Sequence, residues 1–164
     1  MAEKKQELPD FVIDMTKRLI RPPLLHGSGF GESDMKQPMV GIANSWTQLN
    51  PGHAHLDQIS AKVREGLNKA GLTGLEFNTI APCDAMAEGH DGMNYILPAR
   101  EVIAASIEIM SKVSLLDGLV LIGSCDKIVP ALLMAAARID IPAIVITGGY
   151  HPPFCYPDQD FAEE

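Results

Sequence analysis

The chain has 164 residues, of which 46% are apolar and 21% are charged. This length is enough for one ordinary domain with a hydrophobic core, and the composition excludes an intrinsically disordered chain. The formal net charge of −8 argues against a nucleic-acid or anionic-membrane partner, because both would repel the protein.

The three cysteines, Cys83, Cys125 and Cys155, do not suggest a disulfide scaffold, since their number is small and odd. They are typical of a reducing compartment, where a free thiol can bind a metal. The amino-terminal segment is charged and has no apolar core of a signal peptide, and no apolar run reaches the ~18 residues of a membrane span. We therefore expect a cytoplasmic protein.

Residues 1–36 are predicted to form an amino-terminal arm with one short helix. Phe11, Met15 and Leu19 follow helical spacing, and the helix is expected to end before Arg21, because two prolines follow it. Residues 26–31 are rich in glycine and predict a loop.

Residues 37–150 alternate between predicted strands and predicted helices. Strands are predicted over 38–44, 75–80, 119–122 and 141–147, and helices over about 54–70, from Pro98 onward and over 129–139. The helix after Pro98 is expected to face the core with Val102, Ile103, Ile107, Met110 and Val113. Residues 81–92 predict a long polar loop, and residues 151–164 an irregular acidic tail.

Apolar strands separated by helices predict an α/β fold with a mainly parallel sheet, flanked by helices on both faces in three layers. Ligands of such sheets bind outside the carboxyl ends of the strands. The polar clusters at 44–55, 82–92 and 123–127 each follow a predicted strand. We therefore expect three loops to converge on one edge of the sheet.

The third predicted strand is followed by the stretch 123–127, in which Cys125, Asp126 and Lys127 stand consecutively after a glycine and a serine. A thiolate suits a soft metal or an iron–sulfur cluster, and a carboxylate suits a hard divalent ion. The alternative is a polar turn with a half-buried cysteine and two solvated charges. A lysine beside a cation site needs a carboxylate partner, or it must lose its charge, for instance by carbamylation.

The other polar clusters are less specific. Cys83 and Asp84 lie in the loop after the second strand, for which a solvated loop is the alternative, and an isolated His53 is more typical of a loop or cap histidine than of a ligand. The sequence contains no CxxC pair, no phosphate-binding glycine loop and no G-x-S-x-G motif.

A series of motifs nevertheless carries a resemblance to a known family over residues 17–150. They are Gly41-Ile-Ala-Asn-Ser-Trp46, Glu76-Phe-Asn-Thr-Ile80, Glu88-Gly-His-Asp-Gly-Met93, Leu97-Pro-Ala-Arg-Glu-Val-Ile103, Ser106-Ile-Glu108, Cys125-Asp-Lys127, Met134-Ala-Ala-Ala-Arg138 and residues 142–149. In these motifs, their order and their spacing, the chain resembles the dihydroxy-acid and sugar-acid dehydratases, which include dihydroxy-acid dehydratase and 6-phosphogluconate dehydratase.

The resemblance implies a hydro-lyase that removes water from a small-molecule 2,3-dihydroxy carboxylic acid and gives a 2-keto acid. The substrate would be a precursor of branched-chain amino acids or a sugar acid. The implied cofactors are an iron–sulfur cluster, [2Fe–2S] or [4Fe–4S], which binds the departing 3-hydroxyl, and Mg²⁺, which holds the substrate carboxylate and 2-hydroxyl. Cys125 is the implied cluster ligand. Asp84, Asp126 and a carbamylated Lys127 are the implied magnesium ligands.

The chain departs from the family pattern at several positions. Gly52 stands where the family has its first cluster cysteine, and His53 or Cys83 could take that role. Ile128 replaces an asparagine, Ala99 a serine and Ala105 an aspartate.

Length is a further departure, because family members are several times longer and their proton-abstracting serine lies beyond the matched stretch. The resemblance therefore implies the amino-terminal part of such an enzyme, either a fragment or one subunit of a split enzyme. It would work as a homo-oligomer or with a carboxy-terminal dehydratase polypeptide. The alternative is a non-catalytic metal- or ligand-binding relic of the family.

Overall fold

The computed structural model describes Val12, Met15 and residues 19–151. The chain divides into two compact units, Met1–Pro38 and Met39–Glu164. In the first unit, helix α1 spans Arg21–Gly27 and helix α2 spans Glu32–Met35.

Helix α1 begins at the segment where the predicted amino-terminal helix was expected to end. Its first turn contains Pro22, which is tolerated there because the first N–H groups of a helix have no acceptor within it. The predicted loop over 26–31 is also wrong at its start, since α1 continues to Gly27. The helix predicted from Phe11, Met15 and Leu19 lies mostly outside the described residues.

The second unit contains four strands and the helices that connect them. Its elements are β1 (Met39–Asn44), α3 (Leu56–Lys69), β2 (Thr73–Asn78), α4 (Asp84–Ala87), a 3₁₀ helix (Asp91–Tyr95), α5 (Ile96–Ser114), β3 (Gly118–Gly123), α6 (Ile128–Ile139) and β4 (Ala143–Thr147). The predicted strands and long helices are confirmed, although β2 begins and ends two residues before its predicted bounds. The predicted loop over 81–92 contains the short helix α4.

All four strands are parallel and form one sheet in the order β2-β1-β3-β4. On one face, α3 packs against β1, β2 and β3, and Ile42, Leu56, Val120 and Ile122 form the centre of the core. Successive strand residues point to opposite faces of the sheet, so Gly123 faces away from Ile122 and from α3. A methyl group at Gly123 would lie 2.9 Å from Leu132 of α6. Helix α6 therefore covers the other face together with α5, against which it packs. The three-layer α/β prediction is confirmed.

The core face of α5 differs from the predicted one. Ile103 and Ile107 are fully buried, but Val102, Met110 and Val113 are 54%, 39% and 77% exposed. The buried stripe is completed by small residues, Ala99, Ala104 and Ser111, which a prediction based on large apolar side chains overlooks. Although α5 has 19 residues, neither it nor any other described helix is long and apolar enough to cross a membrane.

The strand order creates a topological switch between β1 and β3. The chain moves from β1 to β2 on one side and then returns to β3 on the other side of β1. The connections after β1 and β3 therefore diverge and leave a crevice at the carboxyl ends of these strands. This crevice is where ligands of open parallel sheets bind.

Candidate functional site

The loops that follow all four strands meet at the carboxyl edge of the sheet. Asn50 Nδ2, after β1, lies 3.3 Å from Cys125 Sγ, after β3. Lys127 Nζ, also after β3, lies 2.6 Å from Asp84 Oδ2, after β2. His151 Nε2, after β4, lies 3.3 Å from Cys125 Sγ. The topology thus brings together the three predicted loops and adds a fourth.

Lys127 joins the two candidate carboxylates. Its ammonium donates hydrogen bonds of 2.6 Å to Asp84 and 2.7 Å to Asp126. The hydrogen bond from Lys127 holds the pKa of Asp84 below its ordinary value. In return, Asp126 and Asp84 hold the pKa of Lys127 above its ordinary value. Both carboxylates therefore face a positive charge from the lysine itself.

This arrangement has the oxygen donors that a hard divalent cation prefers, because Asp84 and Asp126 carry carboxylates from two separate loops. Carbamylation of Lys127 would replace the ammonium with an anionic oxygen donor. Within the described part of the chain, no three His, Cys, Asp or Glu side chains form a group that could hold a metal ion. A divalent ion on these two carboxylates would therefore need further oxygen donors, which water, substrate or a carbamylated lysine can supply.

Cys125 presents a half-buried free thiol at the mouth of the crevice. Its backbone is in the left-handed region, with φ of 66°, which costs an ordinary residue about 1–2 kcal/mol. Burial raises the pKa of the Cys125 thiol, as do the nearby carboxylates of Asp84 and Asp126 and the neighbouring Cys83, whereas the hydrogen bond from Asn50 lowers it. A positively charged ligand such as a metal ion would stabilise the thiolate.

The two further candidates, His53 and Cys83, have different environments. His53 is fully buried, and its Nδ1 lies 2.8 Å from the carbonyl oxygen and 3.0 Å from the Oγ of Ser45. Burial lowers the pKa of His53, and its Nε2 has no hydrogen-bond partner among the residues that the structure describes. Cys83 is a buried free thiol at the start of α4. The structure thus places His53 against Ser45, and it places Cys83 close enough to Cys125 to affect its pKa electrostatically.

Sequence reasoning missed two residues of this site, Asn50 and His151. The Asn50 side chain is fully buried; its Oδ1 accepts a 3.0 Å hydrogen bond from the Gly52 N–H while its amide donates to Cys125. In the sequence, Asn50 is the first residue of Asn-Pro-Gly, a pattern typical of a turn, and nothing local indicates that its side chain reaches Cys125. His151 falls in the predicted irregular tail, although a histidine two residues after the glycines that follow β4 is a usable signal.

Comparison with known proteins identifies the family. Residues 37–162 match the model of the dihydroxy-acid/6-phosphogluconate dehydratase N-terminal region. The chain is 54% identical over 126 residues to the dihydroxy-acid dehydratase of Methanothermobacter thermautotrophicus. The aligned stretch covers 77% of this chain and 23% of that protein. It is 55% identical over 126 residues to the dihydroxy-acid dehydratase of Caldanaerobacter subterraneus, with coverage of 77% and 23%. It is 50% identical over 133 residues to dihydroxy-acid dehydratase 1 of Methanosarcina acetivorans, with coverage of 81% and 24%.

The chain spans about a quarter of the length of the curated relatives it matches. The match covers the α/β unit with its converging loops, and the family expected from the motifs is confirmed. The chain belongs to the dihydroxy-acid/6-phosphogluconate dehydratase family.

Proposed function

We propose that this chain forms the cluster- and magnesium-binding part of a hydro-lyase that converts a 2,3-dihydroxy carboxylic acid to a 2-keto acid. The observation that carries the proposal is the convergence of Asp84, Asp126, Lys127 and Cys125 on one edge of the sheet. Support comes from the relatives named dihydroxy-acid dehydratase. The substrate is a branched-chain precursor or a sugar acid.

The proposed ligands follow from the chemistry of each donor. Asp84, Asp126 and a carbamylated Lys127 hold Mg²⁺ through oxygen, and Cys125 holds an iron–sulfur cluster through sulfur. When bound, the two cofactors supply Lewis acidity toward the oxygen atoms of the substrate. The chain's own residues hold the cofactors: Asn50 stabilises the thiolate of Cys125 with its amide hydrogen bond, and two loops present the carboxylates.

Lys127 controls access to the magnesium site. In the ion-paired state it is an ammonium, and both carboxylates oppose loss of its proton, which must precede the addition of carbon dioxide. A cation that binds Asp84 and Asp126 removes this opposition. Cation binding and carbamylation of Lys127 should therefore strengthen each other.

The magnesium assignment is tested by binding of Mn²⁺, followed by electron paramagnetic resonance, with and without bicarbonate. Bicarbonate is expected to strengthen Mn²⁺ binding to the wild-type chain and to have no effect on Lys127→Met. Asp84→Asn should weaken binding in both conditions. The matched control is Lys112→Met, which removes a lysine ion-paired on the surface of α5. Equal responses of wild type and Lys127→Met to bicarbonate would contradict the role of Lys127.

The reaction itself is tested by mixing. The family base lies in the part of the relatives that this chain does not match, so we propose that the active form also needs that part. The chain, reconstituted anaerobically with iron, sulfide and Mg²⁺, is mixed with the remaining part of the Methanothermobacter relative. A branched 2,3-dihydroxy acid and a sugar acid are each supplied, and formation of the 2-keto acid is measured. Activity is expected only in the mixture.

A second candidate is a non-catalytic metal- or ligand-binding module. It is favoured by the ion pairs themselves, because Lys127 offsets one of the two negative charges of Asp84 and Asp126 from within the chain. A mixture that assembles and carries both cofactors, yet forms no 2-keto acid, would support this second candidate over the enzyme.

A further inference from the structure

Cys125 has a second potential donor beside it, the imidazole of His151. The Nε2 atom of His151 lies 3.3 Å from Cys125 Sγ. The two residues follow different strands, β3 and β4, so their proximity depends on the pairing of these strands.

The backbone before His151 is held in place by several contacts. His55 Nε2 lies 2.9 Å from the carbonyl oxygen of Gly148, and Ser124 Oγ donates a 2.9 Å hydrogen bond to the carbonyl of Gly149. A methyl group at Gly148 would lie 2.7 Å from Leu56 Cδ2, so any side chain there would force the buried Leu56 to move. Gly149 has φ of 86°, a conformation that favours glycine. The two glycines thus direct the chain toward Cys125.

The imidazole occupies the space that a side chain at residue 52 would need. A Cβ atom built on Gly52 would overlap both Cδ2 and Nε2 of the His151 ring. The absence of a side chain at Gly52 is therefore a condition for the Cys125–His151 contact. The Gly52 backbone is itself held by Asn50, which also contacts the Cys125 sulfur.

We propose that Cys125 and His151 bind a soft or borderline metal together, with the imidazole as the second protein donor beside the thiolate. In a tetrahedral site with ordinary metal–sulfur and metal–nitrogen distances, the two donor atoms lie about 3.5 Å apart. The observed 3.3 Å is close to that separation. Binding releases the thiol proton to solvent, and solvent or inorganic sulfide completes the coordination.

This inference rests on the proposed assignment of Cys125 to a soft-metal site, and it names the residue that completes the pair. It differs from the alternatives raised by the sequence, because the imidazole that lies 3.3 Å from the Cys125 sulfur belongs to His151 and not to His53. It also makes Gly52 a requirement of the site. A cluster ligand at position 52 and the imidazole of His151 cannot occupy the same space.

The test is titration of the full, reduced chain with Co²⁺, in which the thiolate-to-cobalt absorption band reports sulfur coordination independently of activity. His151→Ala is expected to weaken Co²⁺ binding at the sulfur site at least tenfold, since even outer-shell changes cost that much. Gly52→Ala should do the same while it keeps both donors, because the methyl group displaces the ring. The matched controls are His26→Ala, in the first unit, and Gly66→Ala, whose methyl group would meet no described atom outside its own helical turn within 4 Å.

The outcomes separate this inference from the proposed function. If His151→Ala and Gly52→Ala both bind Co²⁺ with wild-type affinity and an unchanged absorption band, the role of His151 is overturned. If Cys125→Ser abolishes the band in the same series, the assignment of Cys125 stands. A wild-type chain with no thiolate band would overturn both. If the chain binds Co²⁺ as expected but its mixture with the remaining part of the relative forms no 2-keto acid, only the proposed dehydratase activity is contradicted.

Discussion

Replacing Gly41 with alanine tests the packing of β1, the strand at the topological switch. A Cβ atom on Gly41 would overlap Cδ1 of Leu116 and would lie 3.0 Å from Leu119 Cδ2 and 3.2 Å from Phe77 Cε1. Three side chains would have to move at once, and overpacking of this kind costs about 1–3 kcal/mol. Loss of glycine from the unfolded chain returns about 0.4–1 kcal/mol. The difference between the midpoints of these two ranges is a net fall of about 1.3 kcal/mol in the free energy of unfolding.

Gly66→Ala is the matched control, because Gly66 lies within α3 and, in the described part of the chain, its methyl group would meet no atom beyond its own helical turn within 4 Å. Alanine in a helix is about 0.5–1 kcal/mol more stable than glycine, so this variant should gain stability. Unfolding in urea can be followed by the fluorescence of the single tryptophan, Trp46, which packs against the core. In thermal unfolding, 1 kcal/mol corresponds to about 2–4 °C for a chain of this size. The packing argument fails if Gly41→Ala is as stable as wild type, or if both variants gain stability.

Three other predictions concern the site and the core. Burial holds the pKa of His53 below the value of about 6.5 that it has in the unfolded chain. Below that pH the unfolded state therefore binds a proton that the folded state does not, and the free energy of unfolding should fall as the pH drops. His53→Gln should reduce this acid dependence in urea titrations at several pH values, and an unchanged slope would contradict it. Asn50→Ala removes the acceptor of the Gly52 N–H and should lower the free energy of unfolding in urea by about 1–3 kcal/mol. A loss below about 0.5 kcal/mol, the size of a typical surface change, would contradict the role of that hydrogen bond. Ile107→Ala should lower the free energy of unfolding by about 2–5 kcal/mol in the same measurement, because Ile107 is fully buried. The control Val113→Ala, at a position that is 77% exposed, should change it by less than about 0.5 kcal/mol. Comparable losses in the two variants would mean that the buried face of α5 is misassigned.

The sequence by itself predicted the elements whose signal is local. The strand at Met39–Asn44 and the helix at Leu56–Lys69 follow from hydrophobic periodicity, which reflects whether a segment has one buried face or two. The motifs also predicted the family, because their order along the chain needs no tertiary information. A chain that alternates such strands and helices has few alternatives to a parallel sheet covered on both faces.

Some local predictions failed because neighbouring elements outweigh local signals. The two prolines after Arg21 predict a helix end, yet Pro22 lies in the first turn of α1, because proline suits both positions. Val113 fits an apolar stripe along α5, but it is exposed because the buried stripe passes through Ala104 and Ser111. Which face of a helix is buried depends on the element that packs against it, and the helix alone does not contain that information.

The tertiary structure alone decided which polar residues share a site. The sequence predicts that three loops reach one edge of the sheet, at 44–55, 82–92 and 123–127. The contacts of Cys125 with Asn50 and His151, however, depend on β1 and β4 being the two neighbours of β3. That order is set by non-local strand pairing and by the helices that cover the sheet. The sequence therefore determined the fold class, the family and the residue types of the site, and the packing of the four strands determined which of those residues meet.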